Sequence, residues 1–588
     1  MVGVRNCYDL LVIPLGMAPR IGNSCFLVVV GEAVSFLLDC GLRTSAPDGE
    51  RIPAFEHSVL QSMGYSLARD LDFIILSHAH FDHSGALPFL YSMYPGFSRP
   101  VYTTVATKFL LPQMYADYDR VSETGNSSNS HIERTARSAQ ARASVLDRLE
   151  TKPINVSFLA DLSPTNRSAT DPPPRVHVTF SNAGHIIGAV ITTVEVEGMA
   201  KVVYTGDYNT SARATLPAAT LPACAVGADV FITETTYCNI SRRPSFYRDA
   251  LQLADIGQTV RKGNRVLIPT SAMGLCQDII VKIWSFWERF SLSAERLMLG
   301  TGLIKHMTDA QRVLGNYALD TTPFTSLPIY HRMDPFDRSR VQGSSSQWCV
   351  ICAPNQTKSG VTLDCFVQLA DDPNALVAYP GHMPLMGYNW RVMTKTAKQL
   401  TFDGLKQPKD IHCRATHLAF NAHVDFNGLV RVIEFLDPRA VLLIHNTAID
   451  NVVRFSQLLE HYYGGRKVIC VGNENTPILA VPLRGSGRPR RAYLHQRENA
   501  FLTTVQPEKR TGASIYRAEF SESLEAILVR LALQGLIAQR VGSVKIDDTL
   551  RDMYRIGEAY YLCSNAVGGV TAQWVGGPED GKLLLANH

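Results

Sequence analysis

The segment Ser77-His78-Ala79-His80-Phe81-Asp82-His83 puts three imidazoles and one carboxylate within six positions. It follows an apolar run, Leu71-Asp72-Phe73-Ile74-Ile75-Leu76, that reads as a buried strand. So dense a group is costly unless a cation compensates it. Neutral imidazole and ionised carboxylate are good ligands for a divalent metal such as zinc. A turn just past a strand end can aim His78 and His80 at one ion and Asp82 and His83 at another.

A two-ion site needs more donors than one loop supplies. Four later positions offer them, each where a strand-like run gives way to a loop: His185 after Asn182-Ala183-Gly184, Asp207 after Tyr204-Thr205-Gly206, Glu234 after Val230–Thr233, and His445 after Leu442-Leu443-Ile444. Singly, each is the kind of residue that commonly caps a strand. Together they complete the donor count.

The elements that must position these side chains are legible in outline. A chain of 588 residues is long enough for about three to four domains. With 46% hydrophobic and 19% charged residues it has an ordinary globular composition. A net charge of +4 is compatible with a nucleic-acid partner without demanding one. The 12 Cys are scattered without zinc-finger spacing, which fits free thiols in a reducing compartment. The N-terminal Leu10–Ile13 run is too short for a secretory signal, and no apolar run approaches the roughly 20 residues of a membrane span.

Residues 1–240 are rich in short apolar runs separated by polar turns. Ser122–Ser144 and Ser163–Arg175 read as surface loops. Over 241–412 strands alternate with helical patterns, as in Arg265–Pro269 followed by Met273–Phe290, where Trp284 and Trp287 are expected in the core. The β-rich style returns over 413–482. Arg484–Arg491 reads as a basic linker. Residues 492–588 read as a small α+β module with an amphipathic helix near Ser523–Ala538.

The set Leu38-Asp39-Cys40-Gly41, His78-x-His80-x-Asp82-His83, Gly184-His185 and Gly206-Asp207 resembles the metallo-β-lactamase superfamily. Glu234, Phe420-Asn421-Ala422-His423-Val424-Asp425 and His445 resemble its β-CASP branch of nucleic-acid-cleaving enzymes. Within that branch, Pro14-Leu15-Gly16, Asn23-Ser24-Cys25, Gly85-Ala86-Leu87-Pro88, Tyr204–Asn209 and Phe286-Trp287-Glu288-Arg289 resemble the endonuclease-subunit family of the Integrator complex. The related family of the pre-mRNA cleavage and polyadenylation machinery is the alternative. The likeness spans roughly residues 10–480.

The resemblance implies an α/β fold: an αββα sandwich with an inserted α/β cap over 241–412 and a C-terminal interaction module. It implies two Zn²⁺, one held by His78, His80, His185 and Asp207, the other by Asp82, His83, His445 and the shared Asp207. Asp39 would orient a ligand. His423 would protonate the leaving 3′ oxygen, with Glu234 holding its imidazole. A His at the position of His445 accompanies RNA-cleaving members, so RNA is the implied substrate. Implied partners are a non-catalytic β-CASP paralogue bound through the C-terminal module and a helical-repeat scaffold subunit, in the nucleus, with the cytoplasm as a second location, and without a membrane.

Several positions depart from the family pattern. Asn421 replaces a Ser, Asn446-Thr447 replaces Gly-Glu, Leu275 replaces an Arg, and 381–386 lacks the usual Gly-Tyr-Cys segment. These motivate a second reading, a catalytically weakened scaffold of the same fold.

Overall fold

The computed structural model describes residues 9–484, apart from short internal stretches of which 125–133, 163–172 and 315–333 are the longest, and six strands between 493 and 575. Two sheets stack face to face. The first has eight strands in the order Tyr493–His495, Ile478–Pro482, Asp9–Pro14, Phe26–Val30, Val34–Leu38, Phe73–Ile75, Val101–Thr103 and Leu149–Thr151. The second has seven, in the order Val468–Val471, Ala440–Ile444, Val230–Glu234, Ala200–Tyr204, Val190–Val196, Val176–Asn182 and Ser157–Leu159.

Side-chain alternation along the strands shows the layering. Leu10, Val12, Val230, Ile232, Leu442 and Ile444 share one cluster between the sheets. Their neighbours turn outward. Leu11 and Ile13 pack on the helix Leu87–Met93, and Phe231, Val441 and Leu443 pack on Phe426–Leu436 and Ile449–Tyr463. Four layers, αββα, result. Because both sheet faces are covered there, the strands Asp9–Pro14, Phe26–Val30, Phe73–Ile75 and Ala440–Ile444 are almost continuously apolar rather than alternating.

The inserted cap is a six-stranded parallel sheet ordered Asp334–Pro335, Leu297–Leu299, Cys349–Cys352, Val266–Pro269, Leu376–Pro380 and Arg414–Leu418. Helix Leu275–Arg289 covers one face, burying Trp284 and Trp287. Helix Gly360–Val367 lies on the other. Cys349 and Cys352 have Cys-x-x-Cys spacing, but inside a strand they point to opposite faces, and both thiols are free.

Two expectations need correction. The cap does not end at 412: Arg414–Leu418 pairs in parallel with Leu376–Pro380, so the chain leaves the cap only after Leu418. Its Arg, Thr and His content hid that strand. Ser122–Ser144 is not simply a loop, because its described parts close the helix Val105–Thr124 and open Ala139–Arg148, whose cap Ser138 accepts from Ala141 N. Beyond 513, the described residues form a five-stranded antiparallel sheet. The expected helix over 523–537 lies outside the described residues, as do 485–491 and much of 381–386; Ala538 opens a strand.

Candidate metal centre

All ten side chains singled out from the sequence follow strand ends at one rim of the sandwich, except His423, which arrives on the chain returning from the cap. The parallel strands Ala200–Tyr204, Val230–Glu234 and Ala440–Ile444 end together, bringing up Asp207, Glu234 and His445. Strands Val34–Leu38 and Phe73–Ile75, also parallel, deliver Asp39 and the His78–His83 turn. Asp39 and His445 sit at φ of 59° and 57°, a conformation non-glycine residues seldom adopt. The turns pack tightly: a Cβ on Gly41 would lie 1.7 Å from the Asp82 carbonyl oxygen.

Two clusters form and share one carboxylate. In the first, His80 Nδ1 lies 3.1 Å from both His78 Nε2 and His185 Nε2. Asp207 Oδ2 is 3.7 Å from His78 Nε2 and 3.5 Å from His185 Nε2. In the second, Asp207 Oδ1 is 3.5 Å from His83 Nε2 and 3.4 Å from His445 Nδ1. Asp82 Oδ2 is 3.3 Å from His445 Nε2 and 3.9 Å from His83 Nε2. Ligand nitrogens about 2.05 Å from a tetrahedral zinc stand about 3.3 Å apart, so the spacings of His78, His80, His185 and Asp207 fit one cation. Asp82, His83 and His445 lie close enough for another, while His445 presents Nε2 to Asp82 and Nδ1 to Asp207. His83 Nε2 and Asp207 Oδ1 are buried without a hydrogen-bond partner, an expensive state unless a cation meets them.

The remaining ring nitrogens are tied down. Asp39 Oδ2 is 2.7 Å from His83 Nδ1, and Asp39 also accepts from Ser77 Oγ, Ser77 N and Tyr204 OH. That fixes the His83 tautomer and turns Nε2 toward the cluster. His185 Nδ1 is 2.9 Å from the Ala422 carbonyl, which does the same for its Nε2.

The electrostatics divide the clusters. Burial lowers the pKa of His78 and His185 well below normal and that of His80 to about 4, so all three are neutral donors. Burial also opposes the charged forms of His83 and His445, but Asp207 and Asp82 outweigh it and raise both pKa values. Those histidines in turn hold Asp207, despite its burial, well below the usual carboxylate range.

His423 stands beside both clusters, its side chain 20% exposed and its Nδ1 2.9 Å from Glu234 Oε2 and 3.9 Å from Asp207 Oδ2. Glu234 is fully buried and also accepts from Tyr208 N at 2.8 Å. Spacing alone missed several supports. Thr236 Oγ1 reaches Glu234 and lies 3.0 Å from His445 Nδ1. Asn421, flagged as a departure, closes its side chain on both the N–H and the carbonyl of His423. Asn446, another departure, donates to the Thr235 carbonyl and accepts from Ala448 N. Single Thr and Asn residues carry no sequence signal for such roles.

Residues 27–229 match the family described as metallo-beta-lactamase superfamily domain. The chain is 26% identical over 528 residues to Integrator complex subunit 11 of Danio rerio, covering 85% of this chain and 83% of that protein. It is 28% identical over 438 residues to cleavage and polyadenylation specificity factor subunit 3-II of Arabidopsis thaliana, covering 73% and 66%. It is 25% identical over 474 residues to Endoribonuclease YSH1 of Candida albicans, covering 77% and 50%. The chain thus carries a metallo-β-lactamase superfamily domain, and its curated relatives are proteins of the Integrator subunit 11 and cleavage-and-polyadenylation factor families.

Proposed function

We propose that this chain is a zinc-dependent endoribonuclease that cleaves nascent RNA, the catalytic subunit of a nuclear Integrator-like complex of the kind that processes small nuclear RNA 3′ ends or attenuates transcription. The observation that carries it is the Asp207 carboxylate, one oxygen in each cluster, with the His423–Glu234 pair alongside. His78, His80, His185 and Asp207 would hold one zinc, and Asp82, His83, His445 and Asp207 the other. When bound, such ions would supply Lewis-acid stabilisation of the phosphoryl oxygens and activation of the attacking water at neutral pH.

The chain's own groups do the rest. Asp39 keeps His83 in the ligating tautomer. Glu234 binds His423 Nδ1, leaving Nε2 to carry the proton that the leaving 3′ oxygen takes up, so the products are a 3′ hydroxyl and a 5′ phosphate. The cap confines a single strand over the rim. The C-terminal module is proposed to pair with a non-catalytic β-CASP paralogue, and a helical-repeat scaffold subunit to hold the two. The similarity to cleavage and polyadenylation factors supports a second assignment, pre-mRNA 3′-end cleavage, with the same chemistry.

The test is cleavage of single-stranded RNA by the assembled protein, with zinc measured on the same samples. About two zinc per chain and a 3′-hydroxyl product are expected. His423→Ala should retain the zinc and lose about 10²–10⁴-fold in cleavage rate. The double substitution Asp82→Ala, His83→Ala should lose zinc and cleavage together; cleavage that survives it sinks the reading.

A further inference from the structure

Residues 420–425 lie between strand Arg414–Leu418 and helix Phe426–Leu436, outside any regular element, and carry His423. What holds this stretch is a row of side chains from the catalytic layers. Three successive carbonyls accept from three of them: Asn421 O from Asn209 Nδ2 at 3.2 Å, Ala422 O from His185 Nδ1 at 2.9 Å, and His423 O from Arg242 Nη1 at 3.2 Å. Two of the donors are themselves rooted. Asn209 is buried and accepts from Ser211 N at 3.0 Å, and the Arg242 guanidinium lies 4.1 Å over the Tyr237 ring.

The middle bond differs from its neighbours, because its donor belongs to the first cluster. A carbonyl oxygen only accepts, so His185 Nδ1 carries the proton and Nε2 keeps its lone pair for a cation. A cation on Nε2 fixes that tautomer and makes Nδ1–H a stronger donor to Ala422. The rings of His185 and His423 stand 4.7 Å apart, so this bond is formed one residue from the proton donor. The His185 carbonyl is held as well, by Arg213, whose guanidinium pairs with Asp278 of the cap helix.

The second cluster is tied differently. His83 Nδ1 is taken by Asp39, and His445 meets Thr236 and Asp82, all from the catalytic layers. Among the described residues, no hydrogen bond joins 420–425 to Asp82, His83 or His445.

We propose that His185 is a positioning residue for His423 as well as a candidate ligand: a cation in the first cluster locks 420–425 through the Ala422 carbonyl and so fixes the proton donor, while a cation in the second does not. This rests on the zinc and proton-donor roles proposed above and deepens them by making the second depend on the first. Linkage requires the converse, so loosening 420–425 must weaken the first ion by the same factor.

The experiment is hydrogen exchange over 420–425 in the full chain, metal-stripped and with zinc, alongside zinc affinity by competition with a chromophoric chelator. His80→Ala removes a first-cluster donor and Asp82→Ala a second-cluster donor, neither within the segment. Zinc should slow exchange over 420–425 about tenfold in the parent and in Asp82→Ala, but not in His80→Ala, in the range of effects seen for groups that orient a metal ligand. Arg242→Gln and Asn209→Ala should weaken by a like factor the zinc step that His80→Ala abolishes, and leave the other step alone. Losing the Arg242 cation would by charge alone tighten zinc, so the sign separates coupling from electrostatics. A merely structural defect would lower both steps together, and unfolding curves on the same samples identify it.

Zinc that slows exchange equally in His80→Ala, or an Arg242→Gln chain that binds its first zinc as tightly as the parent, overturns the proposal. If zinc binds and RNA is cleaved while exchange over 420–425 ignores zinc, the coupling fails and the nuclease reading stands. If exchange and affinities move as stated but RNA is never cleaved, the coupling stands and the nuclease reading fails. A parent that takes up no zinc overturns both.

Discussion

Asp207 is the residue on which both clusters depend, and its partners are unlike on its two sides. On the side of His78, His80 and His185, burial dominates and the imidazoles are neutral before any ion arrives. On the side of His83 and His445, Asp207 and Asp82 draw protons onto the rings despite burial and raise both pKa values. Ligation requires neutral imidazole, so binding at the second cluster must expel those protons. Zinc titrated into metal-stripped protein near neutral pH should therefore release protons. Titration calorimetry in buffers of different ionisation enthalpy reads the number, and zero release counts against the arrangement. The sign also sets the acid limit. His80, with its pKa moved from 6.5 to about 4, loses its donor role only as pH falls through that lower value, so the first ion should outlast the second on acidification.

At the scale of elements, the site was legible because each donor sits at the end of an apolar strand, where periodicity changes abruptly and a His or Asp has no packing reason to be. The departures were legible as differences but not as contacts. Asn421 and Asn446 hold backbone that another residue could hold otherwise, and only the fold shows which carbonyl each meets. The strand Arg414–Leu418 escaped notice because it lies at the edge of the cap sheet, half-exposed and polar. One link between elements had no sequence signature at all: the ion pair of Arg213 and Asp278, with side chains only 6% and 4% exposed, joining the catalytic layers to the cap helix. Removing one partner of a buried pair leaves an uncompensated charge, at a cost of about 3–5 kcal/mol. Asp278→Ala should accordingly loosen the cap, seen as faster hydrogen exchange over 275–289, and should weaken the Arg213 hold on the His185 carbonyl. Exchange over 275–289 equal to the parent's would show that the pair does not dock the cap.

For the whole molecule, the question is which parts the metal centre needs. Strand Tyr493–His495 completes the first sheet by pairing with Ile478–Pro482, so the catalytic layers extend past the basic linker. Among the described residues, the five-stranded sheet of Ile515–Val575 pairs only within itself and supplies no residue to either cluster. A chain ending near residue 512 should therefore keep the two-sheet sandwich and its zinc, while losing association with the proposed non-catalytic paralogue. Zinc content by atomic absorption and co-purification with that paralogue separate the two effects. A truncated chain that keeps the partner would move the interface onto the sandwich or cap. Loss of zinc instead would make the C-terminal sheet part of what holds the rim together, a dependence that neither strand pairing nor the ligand set leads one to expect.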